Sequence, residues 1–344
     1  MRLISRPILV SNVDSSHAAE RDGLLTKVAN EVAAIRGTVQ ALGKKSGHLI
    51  TSTIEHPATL QPFSDLEKQG FAVTRLPVDR QGLLDPRELA EAIREDTLLI
   101  SVMLANNEFG TIEPIRELAA IARQKNILFH TDAVQAMGKI AVDVQELDID
   151  LLSISAHKMY GPKGVGALYI KKRVAIAPQV QGGGQESGIR SGTENVAGII
   201  GFGKACELAQ QRLQSNVAEE TEKLRNYLFD KILDRIPDTQ RNGAVTACLP
   251  NTLNITLPGI RGESLVLLMD QRGISLSAGS ACKSGNADPS HALLALGLSE
   301  DEAHCTIRFS LGAATTREDI DYTVAALKEL HNNKLGVIRF VPCR

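Results

Sequence analysis

The chain has 344 residues, enough for about two domains, and its 43% of hydrophobic residues suffice for buried cores and argue against intrinsic disorder. With 38 Lys and Arg against 40 Asp and Glu, the net charge of −2 argues against a nucleic-acid-binding protein. No apolar run approaches the about 20 residues of a membrane span. Five scattered cysteines without a Cys-x-x-Cys pair predict a reduced, cytoplasmic protein.

Short apolar runs alternate with helical patterns over the first half of the chain. Strands are predicted at residues 48–54, 71–78, 98–103, 127–130, 151–155 and 165–170. Helices are predicted to begin at Asp85-Pro86 and at Pro114-Ile115, since proline suits the start of a helix. This alternation predicts an α/β fold with a mostly parallel sheet covered by helices, in which ligands bind beyond the carboxyl ends of the strands.

The second half of the chain predicts a smaller α+β domain. A long helical region is predicted over residues 193–236, followed by strands at 251–257, 274–277 and 306–311 and a helix at 263–271. The last helix begins with a predicted capping box at Thr315-Thr316-Arg317-Glu318. We therefore expect a large domain over residues 15–217 and a small domain over 218–344, to which residues 1–14 are a candidate addition.

Polar side chains follow several of the predicted strands. His56, Asn107, Asp132 and Lys158 each lie just beyond a strand. Each of them alone is ordinarily a helix cap, a hydrogen-bonded core group or a solvated lysine. Because they converge on one edge of one sheet, together they predict a site for a polar, phosphorylated cofactor.

Several segments closely resemble the pyridoxal-phosphate-dependent cysteine desulfurases, in the class V branch of the fold-type I aminotransferases. The matching segments are 104–111, 129–139, 153–166, 182–196 and 277–297, within a resemblance that runs from about residue 46 to about residue 330. Ser280-Ala281-Cys282-Lys283-Ser284-Gly285 is similar to the subgroup that serves iron–sulfur cluster assembly. The resemblance implies a fold-type I enzyme that converts L-cysteine to L-alanine and passes the sulfur to an acceptor protein.

The resemblance also implies roles for the residues around the cofactor. Lys158 would hold pyridoxal 5'-phosphate as a Schiff base and move protons at the substrate carbon. Asp132 would pair with the pyridine nitrogen, and Gln135 would hydrogen-bond the phenolic oxygen. His56 would stack on the ring and handle protons, and Asn107 would contact the ring oxygen and the substrate.

The phosphate and the substrate are assigned further residues by the same resemblance. Ser155 and His157 would bind the phosphate, and Thr193 would reach the phosphate of the neighbouring subunit, which implies a homodimer. Arg308 would bind the substrate carboxylate through two hydrogen bonds. Cys282, in a loop of small polar residues, would accept the sulfur as a persulfide. No metal site is expected, although the resemblance allows Cys282 to hold an iron–sulfur cluster transiently.

The N-terminal region departs from the family pattern. Residues 1–14 lack an Asp-Asn/Ser-Ala-Ala-Thr-Thr type motif, and Ser187 replaces a usual arginine. A strand and a phosphate-binding Gly-Ala-Thr-Glu loop, roughly thirty residues, are expected to be missing near residues 35–38. Three hypotheses remain: an active cysteine desulfurase, a degenerate or truncated non-catalytic paralogue, and a selenocysteine lyase.

Overall fold

A computed structural model describes residues 8–11, 29–278 and 288–332. Cys282 and the loop around it lie outside the described residues. The chain divides into two compact units. The first consists of Met1–Asn107, Thr111–Asn216 and Ala244–Leu249, and the second of Glu108–Gly110, Val217–Gly243 and Pro250–Arg344.

The first unit contains a seven-stranded sheet of order β1-β7-β6-β5-β4-β2-β3. Its strands are β1 Ile8–Ser11, β2 His48–Ser52, β3 Ala72–Leu76, β4 Thr97–Ser101, β5 Leu128–Asp132, β6 Leu151–Ser155 and β7 Val165–Ile170. Strands β2 to β6 are parallel, and β7 is antiparallel to both of its neighbours. The predicted mostly parallel sheet is therefore confirmed, with each of the six predicted strands present.

Helices cover both faces of this sheet. The described helical elements are a π-helix at Ala33–Gly37, α1 Thr38–Ala41, α2 Pro57–Lys68, α3 Pro86–Ala92, α4 Ile115–Gln124 and α5 Val196–Leu213, with 3₁₀-helices at Ala156–Met159 and Gln185–Gly188. One apolar cluster joins a face of the sheet to α4 and α5. A second cluster packs Ile35 and Val39 onto Leu49, Leu99 and Leu151 on the other face. Such strands are mainly apolar on both faces before their carboxyl ends, which is why the sequence predicts them as short apolar runs.

The region of residues 35–38, near which a strand and a Gly-Ala-Thr-Glu loop are expected to be missing, is helical. The π-helix continues directly into α1, and neither a strand nor a loop lies between Ile35 and Thr38. Gly37 packs so closely that a Cβ atom there would lie 2.6 Å from Ile176 Cγ2 and 2.9 Å from Ala177 O. At the edge of the sheet, β1 pairs with β7. The expected absence of a family-type strand and loop near residues 35–38 stays a prediction, and β1 is a strand of the large sheet rather than of the small unit's sheet.

The second unit is built on a four-stranded antiparallel sheet of order β10-β11-β9-β8. Its elements are α6 Val217–Leu233, β8 Gln240–Asn242, β9 Thr252–Thr256, α7 Gly262–Asp270, β10 Ser277–Ala278, α8 His291–Ala295, α9 Glu300–His304, β11 Thr306–Ser310 and α10 Arg317–Asn332. Apolar residues of α6 and α10 pack against β9 and β11 to form its core. Within the described residues, no helix combines the length and the hydropathy that crossing a membrane requires.

Two local predictions in this half need correction. The long helix expected over residues 193–236 is two helices, because α5 ends at Leu213 and α6 begins at Val217. The capping box of the last helix pairs Thr316 with Asp319, and not Thr315 with Glu318 as predicted. Thr316 N donates to Asp319 Oδ2 at 2.9 Å, and Asp319 N donates to Thr316 Oγ1 at 3.2 Å. Three residues separate a capping pair, which fits Thr316 and Asp319.

Candidate active site

The parallel strands β2, β4, β5 and β6 end along one edge of the large sheet, as the parallel registers require. His56, Asn107, Asp132 and Lys158 lie at or within a few residues of these ends. The topology thus brings together the four polar positions that the sequence predicted on one edge. This is the position at which parallel α/β sheets bind ligands.

Along β5, one face changes from apolar to polar towards this edge. Leu128 packs in the apolar cluster with Ile35, whereas His130 and Asp132, two and four residues further on, are buried polar groups. The same change occurs in β6, where Leu151 is followed by Ser153 and Ser155. Because side chains of a strand alternate between faces, these polar groups share one face and form a buried polar layer beneath the sheet edge.

Asp132 ends β5 and is 2% exposed. Its Oδ1 accepts a hydrogen bond from Val134 N at 2.9 Å, which holds the carboxylate in the first turn beyond the strand. A buried carboxylate needs a positively charged or hydrogen-bonding partner to remain ionised. The protonated ring nitrogen of pyridoxal phosphate is a partner of that kind.

His130 lies one layer deeper, and it was not among the residues predicted for the site. Its Nδ1 is 2.8 Å from Ser101 Oγ, and its Nε2 is 2.9 Å from Ser153 Oγ and 3.5 Å from Glu31 Oε2. Complete burial lowers the pKa of His130 to about 4, so its ring is neutral at physiological pH. Its two-residue spacing from Asp132 on a strand was the signal that placed it on the same face.

His56 is held by the helix that it precedes. It is the N-cap of α2, its Nδ1 accepts from Ala58 N at 3.0 Å, and Pro57 occupies the first helical position. Since Nδ1 acts as the acceptor, the proton of the neutral ring lies on Nε2. The ring is 7% exposed, so its orientation is set by the protein rather than by solvent.

Lys158 extends from a tight turn beyond β6. It lies on the 3₁₀-helix Ala156–Met159, is exposed, and is followed by Tyr160 in a left-handed conformation with φ 68°. Gly161 N donates to Ala156 O at 2.9 Å, and a Cβ atom at Gly161 would lie 2.9 Å from that same oxygen. The turn therefore tolerates no side chain at Gly161 and presents the lysine from a fixed backbone.

The proposed phosphate residues differ in their surroundings. Ser155 is 1% exposed, and its Oγ makes no hydrogen bond within the described part of the chain. A buried hydroxyl of this kind is costly unless a ligand uses it, so Ser155 fits a phosphate oxygen. His157 is half-buried and Thr193 is exposed.

The two amides lie beside the same edge. Asn107 is half-buried and follows Asn106, whose Nδ2 donates to Ile54 O at 3.1 Å and ties this segment to the end of β2. Gln135 is half-buried in the turn that begins at Asp132, where its side-chain oxygen accepts from Lys139 Nζ at 2.9 Å. Lys139, the hydrogen-bond partner of Gln135, was likewise not among the residues predicted for the site.

In the second unit, Arg308 lies on β11 and is half-buried. It is paired in register with Ser277 of β10 on one side and with Asn254 of β9 on the other. Its terminal nitrogen donates to Ser277 Oγ at 3.0 Å, which restrains the guanidinium. The arginine predicted as a carboxylate ligand thus has a fixed position on its sheet.

The residues present fit pyridoxal phosphate: a buried carboxylate for the ring nitrogen, a lysine on a fixed turn, and an unsatisfied buried hydroxyl. A family model described as aminotransferase class-V matches residues 26–323. The chain belongs to the class-V aminotransferase family. The match begins before residue 46, where the resemblance was expected to start, and so includes the segment that carries Glu31.

Similar proteins narrow the family further. A cysteine desulfurase IscS of Dictyoglomus turgidum is 52% identical over 297 residues, covering 86% of this chain and 75% of the relative. A cysteine desulfurase of Rattus norvegicus is 45% identical over 293 residues, covering 85% of this chain and 64% of the relative. Among solved structures, a NifS-like protein has a TM-score of 0.83 at 37% identity over 90% of this chain and 81% of its own.

The structure of SspA in complex with cysteine has a TM-score of 0.71 at 37% identity, covering 85% of this chain and 81% of its own. Together, these matches confirm the predicted family, the fold-type I architecture and the dependence on pyridoxal 5'-phosphate. In the described residues, no cluster of three or more His, Cys, Asp or Glu side chains could hold a metal ion.

Proposed function

We propose that this chain is a cysteine desulfurase that takes sulfur from L-cysteine, leaves L-alanine, and carries the sulfur as a persulfide of Cys282. The observation that carries the proposal is the combination of Asp132, His56 and Lys158 at one sheet edge in a chain with 52% identity to a cysteine desulfurase. In this reaction the carbon–sulfur bond of the substrate breaks and a sulfur–sulfur bond forms. The proton of the attacking thiol balances the hydrogen gained by alanine.

Pyridoxal phosphate, when bound, supplies an electron sink that stabilises negative charge on the carbons of the substrate. Asp132 holds the proton on the ring nitrogen, and its burial strengthens that interaction. Lys158 supplies the amine that attaches the cofactor and moves a proton at the substrate's α-carbon. The neutral ring of His56 has its proton on Nε2, because its Nδ1 accepts from the backbone of α2, and Nε2 is therefore the nitrogen proposed to serve the cofactor.

The phosphate and the carboxylate are bound by different groups. Ser155 and His157 are proposed to donate to the phosphate, and Asn107 to contact the substrate and the ring oxygen. Arg308 binds the substrate carboxylate as a planar, bidentate donor. Cys282 attacks the substrate's sulfur as a thiolate, because the thiolate is the nucleophilic form of cysteine.

A homodimer is part of the proposal, with Thr193 of one copy binding the phosphate in the other. Val196 and Ile200, on the first two turns of α5 just after Thr193, are 61% and 68% exposed. Two large aliphatic side chains one helical turn apart are typical of a covered surface. We further propose that the protein is cytoplasmic and that its persulfide is delivered to a scaffold-type acceptor protein for iron–sulfur cluster assembly or another sulfur transfer.

The test begins with the chain reconstituted with pyridoxal phosphate, which should develop a visible absorption band and release alanine from L-cysteine. Lys158→Ala should lose both, whereas Lys163→Ala, five residues away and exposed, should retain both. Borohydride reduction should label Lys158. Labelling of Lys163 instead would overturn the assignment.

Cys282→Ser separates the remaining hypotheses. It should keep the visible band and lose persulfide formation. Continued sulfur release by this variant favours a lyase of the selenocysteine type, which does not need the carrier thiol. A wild-type chain that folds and never binds the cofactor is the result expected of a non-catalytic paralogue.

A further inference from the structure

Lys139 makes two hydrogen bonds to a single residue. Its Nζ lies 2.9 Å from the main-chain oxygen of Gln135 and 2.9 Å from the side-chain Oε1 of Gln135. The backbone between them is a compact turn, in which Lys139 N donates to Ala136 O at 3.0 Å. Both side chains are half-buried, so the contact is partly shielded from water.

A lysine determines which way an amide points. An ammonium group has three donors and no acceptor, so it bonds only to the oxygen of a carboxamide. Gln135 Oε1 is therefore directed at Lys139, and the NH₂ group of Gln135 is the end that remains for another partner. Without the lysine the two orientations of the amide differ little in shape, and the oxygen could face that partner as readily as the nitrogen.

We propose that Lys139 is a positioning residue that holds Gln135 as a hydrogen-bond donor to the phenolic oxygen of pyridoxal phosphate. This inference rests on the proposed function, in which Gln135 contacts that oxygen. The ammonium also places a positive charge one amide group away from the oxygen, and so favours its anionic form. Lys139 acts through Gln135 and does not itself touch the cofactor.

A purely structural role for Lys139 would use the other bond, the one to the main-chain oxygen of Gln135. The two roles can be separated because Gln135→Leu removes the side-chain amide and keeps the main-chain oxygen. If Lys139 acts through the amide, Lys139→Met should change the cofactor's properties in the wild-type background and add nothing in the Gln135→Leu background. This double-mutant cycle measures the coupling between the two side chains directly.

The experiment uses the holoenzyme and follows the visible band of bound pyridoxal phosphate as a function of pH. In Lys139→Met, the pH at which the band titrates should rise by about half to one unit, because losing a proton from the bound cofactor becomes less favourable without the nearby ammonium. The cofactor Kd should rise about fivefold, the effect of one modest hydrogen bond. Lys139→Arg should restore both values towards wild type, and Lys163→Met is the matched exposed control.

Unchanged titration and Kd in Lys139→Met, with a lower melting temperature, would show a structural brace and overturn the inference. An equal effect of Lys139→Met in the Gln135→Leu background would overturn it as well. If Lys139→Met does not fold, Lys139→Gln provides the same comparison with a neutral donor. Failure of the proposed function has a different signature, since the wild-type protein would then show no visible band at any cofactor concentration.

Discussion

Glu113 is a buried carboxyl group whose ionisation should limit the stability of the large unit at alkaline pH. Its side chain is 3% exposed, and burial, with smaller contributions from the charges of Glu55 and Asp79, raises its pKa to about 8. Oε2 accepts from Leu84 N at 3.0 Å, while Oε1 has no hydrogen-bond partner within the described residues. These surroundings favour the protonated acid.

The pKa of Glu113 sets both the direction and the size of the pH effect. In the unfolded chain the group releases its proton near pH 4.5, whereas in the folded chain it keeps the proton to about pH 8. Between these values unfolding releases a proton, so stability falls as pH rises, by about 1.4 kcal/mol per pH unit. Over the whole window the loss amounts to about 4 to 5 kcal/mol, which is large against the usual stability of a domain.

Glu113→Gln should remove this loss, because glutamine resembles the protonated acid and can still accept from Leu84 N. We expect wild type and variant to have similar free energies of unfolding near pH 5. At pH 8 the variant should be the more stable, by several kcal/mol. The assay is urea unfolding at a series of pH values, with the exposed Glu117→Gln as a control that keeps the wild-type slope. A Glu113→Gln protein with the wild-type pH slope would refute the reasoning.

Three further predictions concern other parts of the molecule. Gly37→Ala should destabilise the protein by about 1–3 kcal/mol, because the added Cβ would clash with Ile176 and the backbone of Ala177. Gly203→Ala, where the space around the added Cβ is open, should leave the stability unchanged or increase it. The melting temperatures of the two variants test this difference. Ser277→Ala should raise the KM for L-cysteine about three- to tenfold with a smaller change in kcat, because the Ser277 hydroxyl restrains Arg308. Ser277→Thr, which keeps the hydroxyl, should retain the wild-type KM. An unchanged KM in Ser277→Ala would exclude this role for the hydroxyl. Burial lowers the pKa of His130 to about 4, so between pH 6.5 and pH 4 the unfolded chain binds a proton that the folded chain does not bind. The free energy of unfolding should therefore fall as the pH falls through this range. His130→Asn should show a flatter pH dependence of the melting temperature over the same range.

The sequence alone was enough to predict most of the local elements, the family and the cofactor. β6 and β7 have the predicted bounds, because short, mainly apolar runs are typical of buried strands. The cap of α3 is also local: Asp85 accepts from Arg87 N at 2.8 Å, two residues away. His56, Asp132 and Lys158 could be selected as candidates because each follows a predicted strand, and parallel α/β sheets bind ligands beyond the carboxyl ends of their strands.

The tertiary structure decided what lies beneath and around those residues. Asn30 Nδ2 donates to Ile154 O across 124 positions of the chain, and Glu31 Oε2 lies 3.5 Å from His130 Nε2, 99 positions away. No local pattern predicts such pairs, since many polar residues could serve as partners until the helix that contains Glu31 packs on the sheet. The pairing of β1 with β7 is likewise non-local, since the two strands lie far apart in the chain. Hydrophobic periodicity and helix capping depend on residues one to four positions apart, so the sequence reveals them. The register between strands and the burial of side chains depend on residues far apart in the chain, which come together only when the whole sheet forms.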